Sequence, residues 1–518
     1  MGLVTKFSSV GSATMASRVL GFVREALIAS TLGAGPVADA FYAAFRFPNL
    51  FRRLFAEGAF NSAFIPLFAK ELEGGGKQSA REFAEQVFSV LLFILLLLSG
   101  CAMLFTPFLV STVIAPRFAD TPEKFDLTVA LARIMFPYLA AMSVVAMLSG
   151  ILNAFRKYFL AAFAPVLLNV VVICVLLYAM YWQKSDTDVG YLLSFGVVAS
   201  GLLQLLLLLY GVLRQDFFIR LRFPKITPQV KRMLVLAAPA AATGGITQIN
   251  LLIGQIIASA QDGAISILSY ADRIYQLPLG VIGIGIGVVL LPELARALRA
   301  DDASETAHLQ NRSLEFGLGL TIPAAVGLAI MPQAIVAVLF ERGAFDRETT
   351  ILCAQALAFF SIGLPAFVLI KIFSPAYFAR EDMKTPMYFS AASVITNIAG
   401  SLLLFPKYGH VGIAAATSIA AWVNSLLLGV TLYIRNDYRP SLATLKRLFL
   451  MLIGSALMGS AVYFANRYFS PRILDGALPE RLAIVGGTIL LGVLVYAGSL
   501  GLTGVVQKNE LRGLIRRG

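Results

Sequence analysis

The sequence predicts an all-α polytopic membrane protein of about 14 transmembrane helices. They are expected to form two six-helix lobes in a parallel pseudo-two-fold repeat, with two extra C-terminal helices. Three observations predict this. Of 518 residues, 58% are hydrophobic and 14% charged, a balance foreign to soluble domains of this length. Apolar runs of about 20 residues recur along the chain, too long and too little alternating for strands. The two halves also echo one another at an offset near 225.

Taken in order, spans are expected near 7–33, 37–69, 84–112, 127–153, 160–182, 189–213, 233–260, 266–295, 313–339, 350–373, 386–404, 411–434, 448–466 and 482–503. The connections after odd-numbered spans carry nine Lys and Arg residues; the other connections and the two termini carry twenty-five. Cations stay on the cytoplasmic side, so both termini are expected there. The division read from this pattern is an N-lobe over 1–213, a basic cytoplasmic linker over 214–232, a C-lobe over 233–434 and a tail over 435–518. The linker alone holds Arg214, Arg220, Arg222, Lys225, Lys231 and Arg232.

The repeat rests on three echoes in one order. Phe64-Ile-Pro66-Leu-Phe-Ala-Lys-Glu-Leu72 matches Leu290-Leu-Pro292-Glu-Leu-Ala-Arg-Ala-Leu298. Pro107, an apolar run and Pro116-Arg117 match Pro332, an apolar run and Glu341-Arg342. The connection with Arg156-Lys157 before Asn169 matches that with Arg380 and Lys384 before Asn397. Six spans per copy is an even number, so both copies enter the membrane the same way round. A cavity between the lobes is then expected.

Several function classes are excluded. The net charge of +13 would suggest nucleic acid in a soluble protein; here the placement of cations in loops accounts for most of it. Ser17, Arg18 and Arg24 interrupt the first apolar run, so no removable leader is expected. Cys101, Cys174 and Cys353 lie in apolar segments, which argues against a disulfide framework or metal site. His308 and His410 fall in expected loops, leaving no intramembrane histidine relay. No H-E-x-x-H or phosphate-binding loop motif occurs, and the loops are too short for a soluble catalytic domain, so a transporter rather than an enzyme is expected.

Eight cations lie inside the apolar stretches: Arg18, Arg24, Arg46, Arg52, Arg53, Arg133, Arg273 and Lys371. A charge at the bilayer centre costs roughly 2.5–3.5 kcal/mol on insertion scales, so such groups face a cavity and have a function. Glu25, Asp39, Glu57 and Asp272 share these stretches, with Glu293 and Glu315 near helix ends. The surplus of cations points to an anionic cargo. Ser17, Arg18, Gly21, Arg24 and Glu25 share an arc of about 100° on the first helix. Asp39, Arg46, Asn49, Arg53 and Glu57 form one stripe on the second, with Arg52 beside it. Arginine favours bidentate contact with phosphate or carboxylate. The competing reading is a set of internal pairs, such as Arg24 with Glu25 or Asp39, holding helices together. Arg53 and Lys371 can instead snorkel to the interface. In the eighth span Asp272-Arg273 precedes Pro278 and the series Gly280, Gly283, Gly285 and Gly287, which permits close helix approach.

At these residues the chain resembles the MurJ (MviN) family of lipid II flippases, within the superfamily that includes MATE exporters and oligosaccharide-lipid flippases. The resemblance is carried by Ser17-Arg18-Val-Leu-Gly-Phe-Val-Arg24-Glu25, Gly33-Ala-Gly35, Asp39-Ala-Phe41, Pro48-Asn49-Leu-Phe-Arg52-Arg53-Leu-Phe-Ala-Glu57-Gly58-Ala-Phe60 and Tyr270-Ala-Asp272-Arg273. It implies a V-shaped pair of lobes around a cationic cavity and a cargo of undecaprenyl-pyrophosphate-linked peptidoglycan precursor. It also implies a bacterial inner-membrane location and a lipid-tail groove on the last two spans. Arg18, Arg24, Arg52, Arg273, Asn49 and Ser17 are the expected substrate-binding residues. Glu25, Asp39, Glu57 and Asp272 are the expected gating or charge partners. Gln276 stands where some members have Glu, and Glu25 where others have Asp.

No cofactor or metal is expected. Monovalent-ion or membrane-potential coupling stays open. Spans 7, 11 and 12 contain no Asp or Glu, so a conventional sodium site is not expected, although Thr243, Asn250, Asn397 and Thr417 offer neutral oxygens. A monomer is expected, with membrane lipids as surroundings, no nucleic acid, and peptidoglycan-synthesis machinery as a candidate partner. A basic cavity argues against an exporter of cationic drugs. A flippase for another polyprenyl-pyrophosphate glycan shares the same physics.

Overall fold

The computed structural model describes residues 3–53, 60–300 and 302–505. Among these the regular elements are helices: α1 Leu3–Leu32, α2 Pro36–Arg52, α3 Phe60–Leu104, α4 Thr106–Leu109, α5 Pro122–Ala154, α6 Tyr158–Tyr181, α7 Asp186–Leu213, α8 Pro228–Ala258, α9 Ala264–Arg299, α10 Ala303–Ile330, α11 Pro332–Phe340, α12 Arg347–Phe378, α13 Lys384–Tyr408, α14 His410–Ile434, α15 Leu442–Asp475 and α16 Leu478–Leu502. Ten of them are long and apolar enough to cross a membrane, or eleven if α8, bent by 52° between Pro228–Pro239 and Gly244–Ala258, is one span. Helix α1 falls outside that set because Arg18, Arg24 and Glu25 lower its hydropathy, and α2 because it is only 17 residues long.

Local signals set the breaks. Gly33 leaves α1 with φ +58, the left-handed conformation that glycine adopts without strain. Pro36 then opens α2 with a fixed φ suited to a first helical turn. The expected second span, 37–69, is α2 together with the first arm of α3, which turns at Gly76 (φ +71). The expected third span, 84–112, is the second arm of α3, which ends at Leu104 and is followed by α4 and two short helical turns, Val110–Ile114 and Pro116–Asp120. His410 is not a loop residue: it is 2% exposed at the start of α14, with Nε2 3.0 Å from the Leu352 carbonyl.

The chain divides into two compact units, Met1–Ser266 and Ile267–Gly518. In the first, α3 packs on α5, α5 on α7 and α6 on α7; in the second, α10 packs on α12, α12 on α14 and α13 on α14. The repeat read from sequence is therefore a repeat of helix pairings. Helix α8 groups with the first unit, where Gln255 Nε2 donates to the Ala43 and Ile114 carbonyls at 3.4 and 2.8 Å. Helices α15 and α16 pair with each other and lean on α10.

The basic 214–232 segment is docked rather than loose. Phe217 is buried in an aromatic triangle with Phe68 and Phe155, centroids 5.5 to 6.1 Å apart. Glu85 of α3, 1% exposed, accepts from the Arg220 backbone N–H at 3.0 Å and from Arg222 Nε at 2.6 Å. Ser89 Oγ accepts the Arg222 N–H at 2.9 Å. An extended segment has no internal ladder, so its donors are satisfied on the helix beside it.

In the second unit α13 and α14 cross with almost no gap. A Cβ at Gly412 would lie 2.7 Å from the Leu404 carbonyl carbon, and backbone cannot rotate away. Gly412→Ala is expected to cost about 1–3 kcal/mol by overpacking and to lower Tm in detergent. An unchanged Tm would show that the two helices separate freely.

Candidate functional site

The first cluster forms where α1, α2 and α6 meet. On α1, residues 17, 21, 24 and 25 share one face, spaced by three or four positions. Arg24 Nη1 donates to Asn169 Oδ1 at 3.0 Å, and Arg24 Nη2 to Glu25 Oε1 at 2.5 Å. Glu25 Oε2 accepts from the Tyr42 hydroxyl at 2.5 Å. Asn169 Nδ2 donates to the Ser17 carbonyl at 2.9 Å and lies 3.4 Å from its hydroxyl. Gly21 lies against the Asn169 side chain, leaving 3.6 Å for an added Cβ. The Arg24 side chain is 12% exposed and that of Glu25 3%. Arg24 Nε is buried without a hydrogen-bond partner among the described residues, a costly condition for a guanidinium donor. The expected pair Arg24–Glu25 is present. The alternative partner, Asp39, is elsewhere.

Asp39 corrects the expected stripe. It does not share an open face with Arg46 and Asn49; it is fully buried. Oδ2 accepts from Lys124 Nζ at 2.8 Å and from the Gly263 N–H at 2.8 Å. Oδ1 accepts from the Ser266 N–H at 3.0 Å and the Ser266 hydroxyl at 2.8 Å. Gly263 and Ser266 lie at the start of α9, where a carboxylate complements the helix dipole and free N–H groups. Lys124, in the first turn of α5, also meets Asp262 at 2.9 Å and sits 4.2 Å above the Phe118 ring. One carboxylate thus ties α2, α5 and the α8–α9 turn together.

The other expected residues are placed as follows. Arg18 lies beside Ser17 on α1 and is exposed. Arg46 is half-buried, with Nη1 3.5 Å from the Leu251 carbonyl. Asn49 is half-buried on the same helix, and Arg53, which caps its C-terminal end, is exposed. Arg52 ends α2; its side chain, Glu57, Thr243 and the side positions of Gly283, Gly285 and Gly287 lie outside what is described. Arg133 is exposed and donates from Nε to the Met103 carbonyl at 3.2 Å, serving the C-terminal end of α3. In the second unit Asp272 and Arg273 are half-buried neighbours on α9. Gln276 Nε2 donates to Asp272, so this amide orients the acid one turn before it. Asn397 and Thr417 meet at 3.3 Å between α13 and α14.

Three residues of these two clusters were not among the expected site residues. Asn169 was visible as a buried amide in an otherwise apolar helix. Lys124 was counted as a loop cation, yet is 4% exposed; Pro122 two residues earlier marks a helix start, the available clue. Tyr42 gives no sequence signal among the aromatics of α2.

The family model for "Lipid II flippase MurJ" matches residues 28–483. A probable lipid II flippase MurJ of Rhizobium tropici is 51% identical over 518 residues, covering 100% of this chain and 97% of that protein. The lipid II flippase MurJ of Burkholderia cenocepacia is 34% identical, covering 97% of this chain and 98% of its own. A solved lipid II flippase MurJ in an inward closed conformation superposes with a TM-score of 0.80 at 25% identity, covering 95% of this chain and 98% of that one. An inward-facing MATE multidrug transporter shares the fold alone, with a TM-score of 0.68 at 13% identity, over 82% of this chain and 97% of its own. The chain belongs to the MurJ family of lipid II flippases.

Proposed function

We propose that this protein moves lipid II from the cytoplasmic to the periplasmic leaflet of the inner membrane by alternating access. Family membership over nearly the whole chain supports the cargo. The observation that carries the site is Arg24: two of its nitrogens are held by Asn169 and Glu25, and Nε has no partner among the described residues. Asn169 fixes the ring of donors; Glu25 is a counter-anion that a pyrophosphate can replace. Moving a pyrophosphate and its sugars through hydrocarbon is prohibitive, whereas a positioned guanidinium substitutes for lost hydration. In the same unit Arg18 and Arg52 are the further cationic contacts proposed for the cargo, with Ser17 and Asn49 as polar ones; Arg273 is the cation that the second unit offers it.

Release follows when Glu25 competes for Arg24 again, a carboxylate displacing a phosphate from the same donors. Asp39 with Lys124 is the latch at the end of the unit bearing the α1–α2 turn, and it opens in the opposite state. Glu25 keeps Arg24 oriented in the empty site, and Asp272, held by Gln276, is the charge partner proposed for its neighbour Arg273. With both termini cytoplasmic, the latch is on the periplasmic side, and α15 and α16 guide the lipid tail. The membrane potential, worth about 2.3 kcal/mol per charge per 100 mV, acts on the empty cationic site and returns it inward.

The test is lipid II binding to the purified protein by native mass spectrometry, wild type against Arg24→Ala and Arg273→Ala. Undecaprenyl phosphate and a neutral polyprenol are the competitors. A charge-assisted hydrogen bond contributes about 1.5–3 kcal/mol, so each variant is expected to bind at least about tenfold more weakly. Equal binding in both variants, or no preference over the neutral polyprenol, would refute the assignment.

A further inference from the structure

The internal repeat builds the same corner twice, with opposite electrostatics. In the second unit the α12–α13 junction meets the end of α14 through two ion pairs: Arg380 with Asp437 at 3.1 Å and Arg435 with Asp382 at 2.8 Å. The cavity of about 350 Å³ beside this corner has acids and bases in its lining, Asp302 and Asp437 beside Arg380 and Arg439. The corner is electrically closed on itself.

In the first unit the α5–α6 junction meets the end of α7 around a cavity of the same size, about 350 Å³. Arg156 and Lys157 face it from the junction and Arg214 from the end of α7, with no acid in the lining. Arg214 is steadied over the Tyr210 ring at 4.9 Å. A fourth cation is close by, since Lys77 Nζ donates to the Gln215 carbonyl at 3.0 Å. Arg156 is held at φ +60, a conformation normally left to glycine or asparagine at a helix end. Three gathered cations repel one another unless an anion joins them. The matching corner has Asp382 and Asp437 in ion pairs; here Asp216, at the position matching Asp437, lies outside the lining, so the space between the cations is left for an external anion.

The remaining lining says what kind of anion. Val10, Tyr158 and Phe159 form an apolar wall, and Tyr158 and Phe159 are 41% and 47% exposed. The cavity therefore opens onto apolar surface in a protein that lies in a bilayer, beside a junction at the membrane interface. Basic pockets between transmembrane helices hold anionic headgroups. We propose that this corner is a binding site for the phosphodiester headgroup of an anionic phospholipid, its acyl chains lying along Tyr158 and Phe159. The site is separate from the Arg24 cluster and does not depend on the identity of the cargo.

The experiment titrates delipidated full-length protein by native mass spectrometry with phosphatidylglycerol, phosphatidylcholine and inorganic phosphate. Phosphatidylglycerol is expected to bind about tenfold or more tightly than phosphatidylcholine. Arg156→Gln, Lys157→Gln and Arg214→Gln together should abolish that preference. Lys225→Gln, Lys231→Gln and Arg232→Gln, with the same charge loss elsewhere in the basic segment, should keep it. Lys157→Glu, which supplies the acid that the second unit already has, should abolish the preference with Tm and lipid II binding unchanged; it decides the matter if the triple variant fails to fold. Four outcomes would overturn the proposal. They are a preference surviving Lys157→Glu, equal loss in the control triple, inorganic phosphate held as tightly as the lipid, and loss of lipid II binding in Lys157→Glu.

Discussion

Asp39→Ala should lower stability by about 3–5 kcal/mol, the usual cost of leaving a buried charge without its partner. Lys124, with a side chain 3% exposed, would keep only Asp262, which is 90% exposed and solvated. The N–H groups of Gly263 and Ser266 would lose their acceptor at the same time. Against a typical stability of roughly 5–15 kcal/mol, the loss should appear as a large fall in Tm in detergent. Asp39→Asn keeps one acceptor oxygen but removes the charge facing Lys124, and should cost about 1–3 kcal/mol. Asp39→Leu with Lys124→Met removes both charges, and should be more stable than the sum of the single changes by over about 1 kcal/mol. Additive effects, or an Asp39→Ala protein with wild-type Tm, would show that the pair holds nothing together. In the proposed cycle the same substitution weakens the latch, so the surviving folded protein should bind lipid II yet flip it poorly.

Glu25→Gln should have the opposite effect on binding from Arg24→Ala. Glu25 is the charge that occupies Arg24 at 2.5 Å. The amide still accepts from the charged Arg24 but no longer carries the competing negative charge, so lipid II should bind roughly tenfold more tightly. Turnover should fall, because release loses its displacing carboxylate. Tyr42 and Asn169 keep the amide and guanidinium in place, so the fold should survive. A titration of lipid II against purified Glu25→Gln, paired with a flipping assay in proteoliposomes, reads both effects. Weaker binding in Glu25→Gln would mean that Glu25 supports the cargo rather than competing with it.

The helices and the charged positions were legible because both are properties of short windows: about 20 apolar residues, or an arginine where hydrocarbon should be. The pairing Arg24–Glu25 was among the alternatives because the two are adjacent. What the windows missed is which charges cancel. Asp39 follows the period of Arg46 and Asn49, yet its partner is Lys124, 85 positions away and apparent from sequence only as a loop cation. Asn169, 145 positions from Arg24, served as a landmark of the repeat. Long-range partners carry no periodicity, so spacing cannot reveal them.

The sequence by itself determined the membrane class, the repeat, the cationic surplus and, through its motif block, the family. Each follows from composition or from the order of residues along one chain. Only the tertiary structure decided that Asp39 is a buried node, that the basic segment lies docked on Glu85, and that one corner of the repeat is self-neutralised while its counterpart is not. Those outcomes depend on distances between helices far apart in the chain, because electrostatic energy falls with separation in space and is blind to separation in sequence.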